Sequence, residues 1–227
     1  MADVDWYGWH TTYDDPGSEP ARRLDTVRRR LAEWLDHAPR PNGRRLRALS
    51  MCAGQGRDVI EVLRTHPRGR EVQALLVELD ARNVAQARSA AVTAGLSDVD
   101  VRQGDASQAA AYSDVVPVDL AVVCGVLGAL SDADVARVVA AMPTLVAPGG
   151  TVVWTRNSVA PDLTPSIRGW FAEAGFRERS FDTEDGYRYS VGVHVLDGPA
   201  GEYDPSLHLF DFPGIRSPEK AARPATD

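Results

Sequence analysis

Residues 47–63, Arg-Ala-Leu-Ser-Met-Cys-Ala-Gly-Gln-Gly-Arg-Asp-Val-Ile-Glu-Val-Leu, restrict the fold more than any other stretch. An apolar run ends in a turn of small residues, and a helix-like pattern follows at once. Glycine belongs at such a corner, because a strand that reverses into a helix needs backbone freedom and close approach to whatever binds there. The helix start then offers unpaired N–H groups and positive partial charge, suited to a carboxylate or to ribose oxygens. Many strand–turn–helix units carry glycines without binding anything, so the meaning of this one depends on what the chain places around it.

At 227 residues the chain can form one α/β domain with an embellishment. Its net charge of −7 argues against a nucleic acid or an anionic membrane as partner, since both favour a basic face. Lys220 is the single lysine among 25 basic residues, which reads as composition bias. No apolar run approaches the roughly 18 residues that span a bilayer. The acidic start leads into no apolar core, so no secretion signal is expected. Two cysteines, Cys52 and Cys124, make no disulfide framework, and a reduced cytoplasmic setting follows as the expectation.

Trp6, Tyr7, Trp9, His10 and Tyr13 crowd the first residues with no helical or strand period, and 14–18 close the segment as a turn. Two readings stand open: an apolar arm packed on the core, or a lid that closes a pocket and offers His10 or Tyr13 to a substrate. A helix is expected over 18–37, with Leu24, Val27, Leu31, Trp34 and Leu35 on one side. Arg22, Arg23, Arg28, Arg29 and Arg30 lie opposite and read as a solvated face. Residues 39–43 break the chain.

Beyond the glycine turn and its helix, strands are expected over 71–80, 99–103, 115–123 and 151–155. Helices are expected over 81–95, 131–146 and 164–174. Stretches 176–182 and 187–196 read as a hairpin. Strands alternating with helices imply a doubly wound, mostly parallel sheet, seven-stranded when the antiparallel C-terminal hairpin is counted. The apolar patch 207–212 should dock as a short strand, and 217–227 should be disordered.

In this order the motifs resemble those of class I S-adenosylmethionine-dependent methyltransferases over residues 44–196. The family's glycine-rich loop corresponds to Cys52, Ala53, Gly54, Gln55 and Gly56. Glu78, with Leu79 beside it, stands where the family places the acid that takes both ribose hydroxyls, 22 residues after Gly56 and close to the roughly 20 expected of such an acid. Asp80 reads instead as the cap of the next helix. Asp105 and Ala106 match the adenine-contacting position, and Cys124 and Gly125 match the backbone beneath the methionine portion. The chain departs from the family at Ser50, normally an acid, and at Cys52, normally glycine. The resemblance implies S-adenosylmethionine as cofactor and S-adenosylhomocysteine as product. It also implies a division into residues 1–43 (aromatic arm and helix, a lid), 44–197 (Rossmann-like binding domain) and 198–227 (C-terminal extension).

Methyl transfer is an in-line substitution, so most of the protein's task is proximity and orientation. A hydroxyl or ammonium acceptor also needs a base, for which His10 stands first and Tyr13 second. Arg156 could hold a substrate carboxylate or simply pair with a neighbouring acid. Asn157 follows it, and Trp6 and Trp9 suit a flat or apolar acceptor. His194, among valines, reads as structural, and no residue cluster has metal-ligand spacing. The expected protein is a monomer or homodimer that methylates oxygen or nitrogen of a small molecule in secondary metabolism. The alternatives are a methyltransferase scaffold repurposed for elimination or cyclisation, and a non-catalytic partner subunit.

Overall fold

The computed structural model describes residues 5–39 and 43–212. Residues 40–42 of the break expected at 39–43, residues 1–4 of the acidic start and the disorder expected over 217–227 lie outside the described residues.

The strands are β1 (Leu46–Met51), β2 (Val72–Glu78), β3 (Val99–Gln103), β4 (Val118–Val123), β5 (Val146–Asn157), β6 (Phe176–Thr183) and β7 (Tyr189–Leu196). They form one sheet in the order β3-β2-β1-β4-β5-β7-β6. Strands β3, β2, β1, β4 and β5 pair in parallel, while β7 is antiparallel to both β5 and β6. This is the doubly wound sheet with a closing hairpin, the class I methyltransferase fold.

Side chains on a strand alternate between faces, and here the alternation sorts the core into two layers. Leu49, Met51, Val123 and Trp154 point to one side, where α5 (Asp132–Leu145) and α6 (Thr164–Glu173) bring Val135, Val139, Met142, Ile167 and Phe171. Ala48, Leu76, Val122 and Val153 point to the other side. There α2 (Glu19–His37), α3 (Val59–Thr65) and α4 (Ala81–Thr93) bring Val27, Leu31, Ile60, Leu63, Val84 and Ala87. Ser18 caps α2 by accepting from Ala21 N, and Asp80 caps α4 by accepting from Arg82 N.

Four local expectations need correction. The arm is helical: α1 (Trp6–Trp9) runs into a 3-10 turn over His10–Asp14, because tertiary packing of the rings supplies what no sequence period did. Strand β4 starts at Val118, after Pro117, which lacks the N–H a ladder needs. Strand β5 starts at Val146 rather than at 151, and Pro148-Gly149-Gly150 lies within it where the register shifts against β4. The arginine face of α2 is not simply solvated. Arg30 Nε donates to Asp182 Oδ2 at 2.7 Å and Arg22 Nε to Glu184 Oε1 at 2.8 Å, so these arginines pin α2 to the β6 end of the sheet.

His194 is structural, as expected. It is 1% exposed, its Nδ1 accepts from Trp154 Nε1 at 3.1 Å, and its ring stacks on Phe171 at 4.5 Å. Burial holds its imidazole down to about 4 from 6.5, against the opposing pull of Glu178. The unfolded chain therefore takes up a proton near pH 6.5 that the folded chain refuses until about pH 4. This contribution to stability is complete above that upper value and is lost as pH falls through the window, by at most about 3 kcal/mol. Urea unfolding across the window should show the decline. His194→Gln, which keeps an acceptor for Trp154, should remove about one proton from the slope.

Candidate active site

A cavity opens over the carboxyl ends of β1, β2, β3 and β4, where ligands collect in open α/β sheets. Counting the open mouth, the space within it amounts to about 1230 Å³. Its floor begins with the loop after β1. Cys52, Gly54 and Gly56 have φ of 49°, 56° and 66°, so the chain turns through three left-handed residues in five positions. Cys52 is the one non-glycine residue among the described residues with positive φ, a conformation that costs an L-residue roughly 1–2 kcal/mol. The turn is held by Ala53 N donating to Val77 O and Gly56 N to Ala53 O, both at 2.9 Å.

The helix start is not the open donor site its sequence suggested. α3 begins at Val59, and the Asp58 carboxylate takes the Val59 N–H at 2.7 Å. The loop's own donor goes to an acid instead. Glu78, 8% exposed at the end of β2, accepts from Gly54 N and from Asp80 N, each at 2.8 Å. Burial raises its pKa, and these backbone bonds oppose the rise. Beside it, Asp105 accepts from Ser107 N at 2.9 Å. Gly125, after β4, donates to Thr155 Oγ1 at 2.8 Å. Burial pushes the thiols of Cys52 and Cys124 upward, so neither is a ready thiolate.

The arm and the chain after β7 form the roof. His10 lies against Gly54: a Cβ on that glycine would stand 2.4 Å from the imidazole. Burial, with Arg57 nearby, holds His10 down to about 4, so the ring is neutral near pH 7, and its buried Nδ1 has no hydrogen-bond partner. Tyr13 stacks on it at 5.6 Å and accepts from Arg23 Nη2 at 3.1 Å. Burial raises the Tyr13 pKa, which makes it a poor base. Trp6 meets Phe212 edge to face at 5.4 Å, closing arm on tail.

Residues 207–212 dock as expected, though through a single bridge, Gln108↔His208, rather than a strand. Leu209 N donates to Ser107 O at 2.7 Å, which seats Phe210 and His208 in the cavity wall.

Thirteen of the residues singled out from sequence line this one cavity: Trp6, Trp9, His10, Tyr13, Cys52, Ala53, Gly54, Glu78, Leu79, Asp105, Ala106, Cys124 and Gly125. Gln55, Gly56, Arg156 and Asn157 do not. Gln55 backs the loop, accepting from Arg57 Nε at 3.0 Å, and Gly56 holds a left-handed φ of 66° with the ends of Ile60 and Leu76 packed close. Arg156 is not available as a substrate anchor. Its guanidinium donates to Leu127 O and lies 3.6 Å from Asp132, the neighbouring-acid arrangement that stood as its alternative. Asn157 stands over Gly128.

Sequence reasoning gave no site role to Arg23, Asp58, Asn83, Ser107 or Phe210 and left His208 open; all six line the cavity. The alternation His208, Phe210, Phe212 in the tail carried a signal. Arg23 and Asp58 were masked by ordinary roles, a helix surface and a helix start.

Among the described residues no group of three His, Cys, Asp or Glu could hold a metal ion, and no helix is long and apolar enough to cross a membrane.

Residues 22–169 match the Methyltransf_20 family, described as "Putative methyltransferase". The chain belongs to this methyltransferase family. No curated protein matches it. Among solved structures it is similar to an O-methyltransferase family protein from Burkholderia thailandensis (18% identity, TM-score 0.57), covering 88% of this chain and 65% of that one. This chain thus spans less than two thirds of that protein's length. It is also similar to the magnesium protoporphyrin IX methyltransferase of Synechocystis PCC 6803, solved with bound S-adenosylmethionine (13% identity, TM-score 0.58, 76% of this chain and 79% of that one). A third is an RNA methyltransferase from Salinibacter ruber in complex with S-adenosylhomocysteine (19% identity, TM-score 0.51, 80% and 95%). At such identities these structures share the class I S-adenosylmethionine-dependent methyltransferase fold.

The contact of His10 with Gly54 can be broken by one methyl group. Gly54→Ala should cost roughly 1–2 kcal/mol through its left-handed backbone and push the arm outward. Faster acrylamide quenching of tryptophan fluorescence, from Trp6 and Trp9, would report the displacement; unchanged quenching would show that the arm does not rest on this glycine.

Proposed function

We propose that the cavity binds S-adenosylmethionine and that the protein methylates oxygen or nitrogen of a small, flat molecule, in the manner of secondary metabolism. The observation that carries this reading is Glu78, buried and fastened to Gly54 N, in one cavity with Asp105 and Cys124-Gly125. The residues fit the cofactor's chemistry. A carboxylate with only backbone donors can accept the paired donors of a ribose diol. Asp105 keeps an oxygen free of the Ser107 bond for an exocyclic amine. Gly54 leaves the loop's backbone bare toward the cavity, where the His10 ring now lies against it. Bound there, S-adenosylmethionine supplies an electrophilic methyl group.

The chain's own residues do the rest. The arm (within residues 1–43) and the extension (from 198) roof the 44–197 domain with Trp6, Trp9, Phe210 and Phe212, which exclude water and favour an aromatic or apolar acceptor. His10, neutral near pH 7 and with Nδ1 unpartnered, is the base for the acceptor's proton, and a weak one while burial holds it near 4. The acidic chain fits an uncharged or cationic small molecule better than a nucleic acid, and the two free cysteines fit a reduced, cytoplasmic setting.

Calorimetry with S-adenosylmethionine and S-adenosylhomocysteine tests the reading; absence of heat with either at millimolar concentration would sink it. Glu78→Ala should weaken binding by roughly 1–3 kcal/mol, the cost of stranding polar partners. With an acceptor in hand, His10→Ala should lower kcat by roughly 10²–10⁴; an unchanged kcat would remove His10 as base.

A further inference from the structure

The aromatic arm is pegged to the domain on either side of His10. Before it, Asp5 pairs with Arg82 at the start of α4 at 3.0 Å, and Trp6 meets Phe212. After it, Asp14 pairs with Arg57 at 2.7 Å. Between the pegs, where α1 passes into the 3-10 turn, the His10 side chain reaches down to the glycine loop. Rings hold it from above: Tyr13 stacks on it at 5.6 Å, and Trp9 meets it edge to face at 5.8 Å.

The imidazole turns its Cε1–Nε2 edge to the loop. A Cβ on Gly54 would stand 2.4 Å from Cε1 and 2.5 Å from Nε2, but 3.7 Å from Nδ1. The ring therefore covers the face of the loop that glycine leaves bare. Gly54 also gives its N–H to Glu78 at 2.8 Å, so the imidazole stands at the corner where the acid meets the loop. A nucleoside whose hydroxyls reach Glu78 and whose side chain crosses the loop needs that same corner. Ring and ligand cannot share it.

We propose that His10 is a built-in occupant of this corner, which it fills in the empty protein and leaves when S-adenosylmethionine enters. The proposal rests on the S-adenosylmethionine reading and adds how the site is regulated. The contact suits displacement. Nδ1 is buried without a partner, and a polar atom so placed has lost its bonds to water with nothing in return. Pegged on both sides, the turn that carries His10 can give way while Trp6 stays on Phe212.

Leaving the corner also changes what His10 can do. There, burial and the nearby Arg57 hold its pKa down to about 4, against the opposing pull of Asp80. Released from burial, the imidazole regains basicity toward its ordinary 6.5. The base is thus weak until the methyl donor has arrived and stronger afterwards.

Calorimetry with S-adenosylhomocysteine is the first test. A site that is open only part of the time binds with its affinity reduced by that fraction, so His10→Ala should bind roughly fivefold or more tightly than the unaltered protein. A residue that merely packed the roof would do the reverse, since its loss would loosen the cover over the ligand. Carbon-13 NMR of the histidines, with the His10 signal assigned by its loss in His10→Gln, is the second. That signal should titrate near 4 in the empty protein and move toward 6.5 with S-adenosylhomocysteine bound. An affinity of His10→Ala no better than that of the unaltered protein, or a His10 signal still titrating near 4 in the complex, would overturn the proposal and leave the cofactor reading intact. Absence of binding by both proteins would instead overturn the reading beneath it. Should His10→Ala melt early, the NMR titration decides alone.

Discussion

The bond from Gly54 N to the Glu78 carboxylate ties together the ends of two neighbouring parallel strands. Everything in the cavity is referred to it. The loop after β1 can turn through three left-handed residues because one end of it is fastened to β2, through Gly54 to Glu78 and through Ala53 to Val77. A carboxylate so buried would ordinarily shed its charge; backbone donors oppose that shift and hold it in place. His10 can then lie on the bare face of Gly54, which brings the arm down over the floor.

The roof is the less usual half of the structure. It comes from the two ends of the described chain, which meet at Trp6 and Phe212. Arm and tail are each fastened elsewhere as well: Asp14 pairs with Arg57 at 2.7 Å, Asp5 with Arg82 at 3.0 Å, and Leu209 with Ser107. Fastened at several points but built from short helical turns and a single bridge, this roof has far fewer backbone bonds than the sheet below it. Segments of that kind open at lower free energy than core strands, as access to a covered site requires.

Much of this was legible in the sequence, for a physical reason. Strand and helix periods, the glycine turn and the acid after β2 are local signals, and a doubly wound sheet places strand ends side by side whatever covers them. What resisted reading depended on partners far along the chain. Arg30 meets Asp182 and Arg22 meets Glu184 only after the hairpin has folded back, so their row looked merely solvated. Arg156 looked free until Leu127 O and Asp132 were placed beside it. Asp58 looked like any residue opening a helix, and only the folded chain places it in the cavity wall.

The account's central claim is that the space between the glycine loop and the aromatic roof is a cofactor site. A crystal structure grown with S-adenosylhomocysteine tests it most directly. The account requires the ribose hydroxyls on Glu78, the adenine beside Asp105 and the amino-acid end toward Cys124, with Trp6, Trp9 and Phe212 still above them. A ligand bound elsewhere, or His10 and the arm filling the cavity with no ligand in it, would contradict the account.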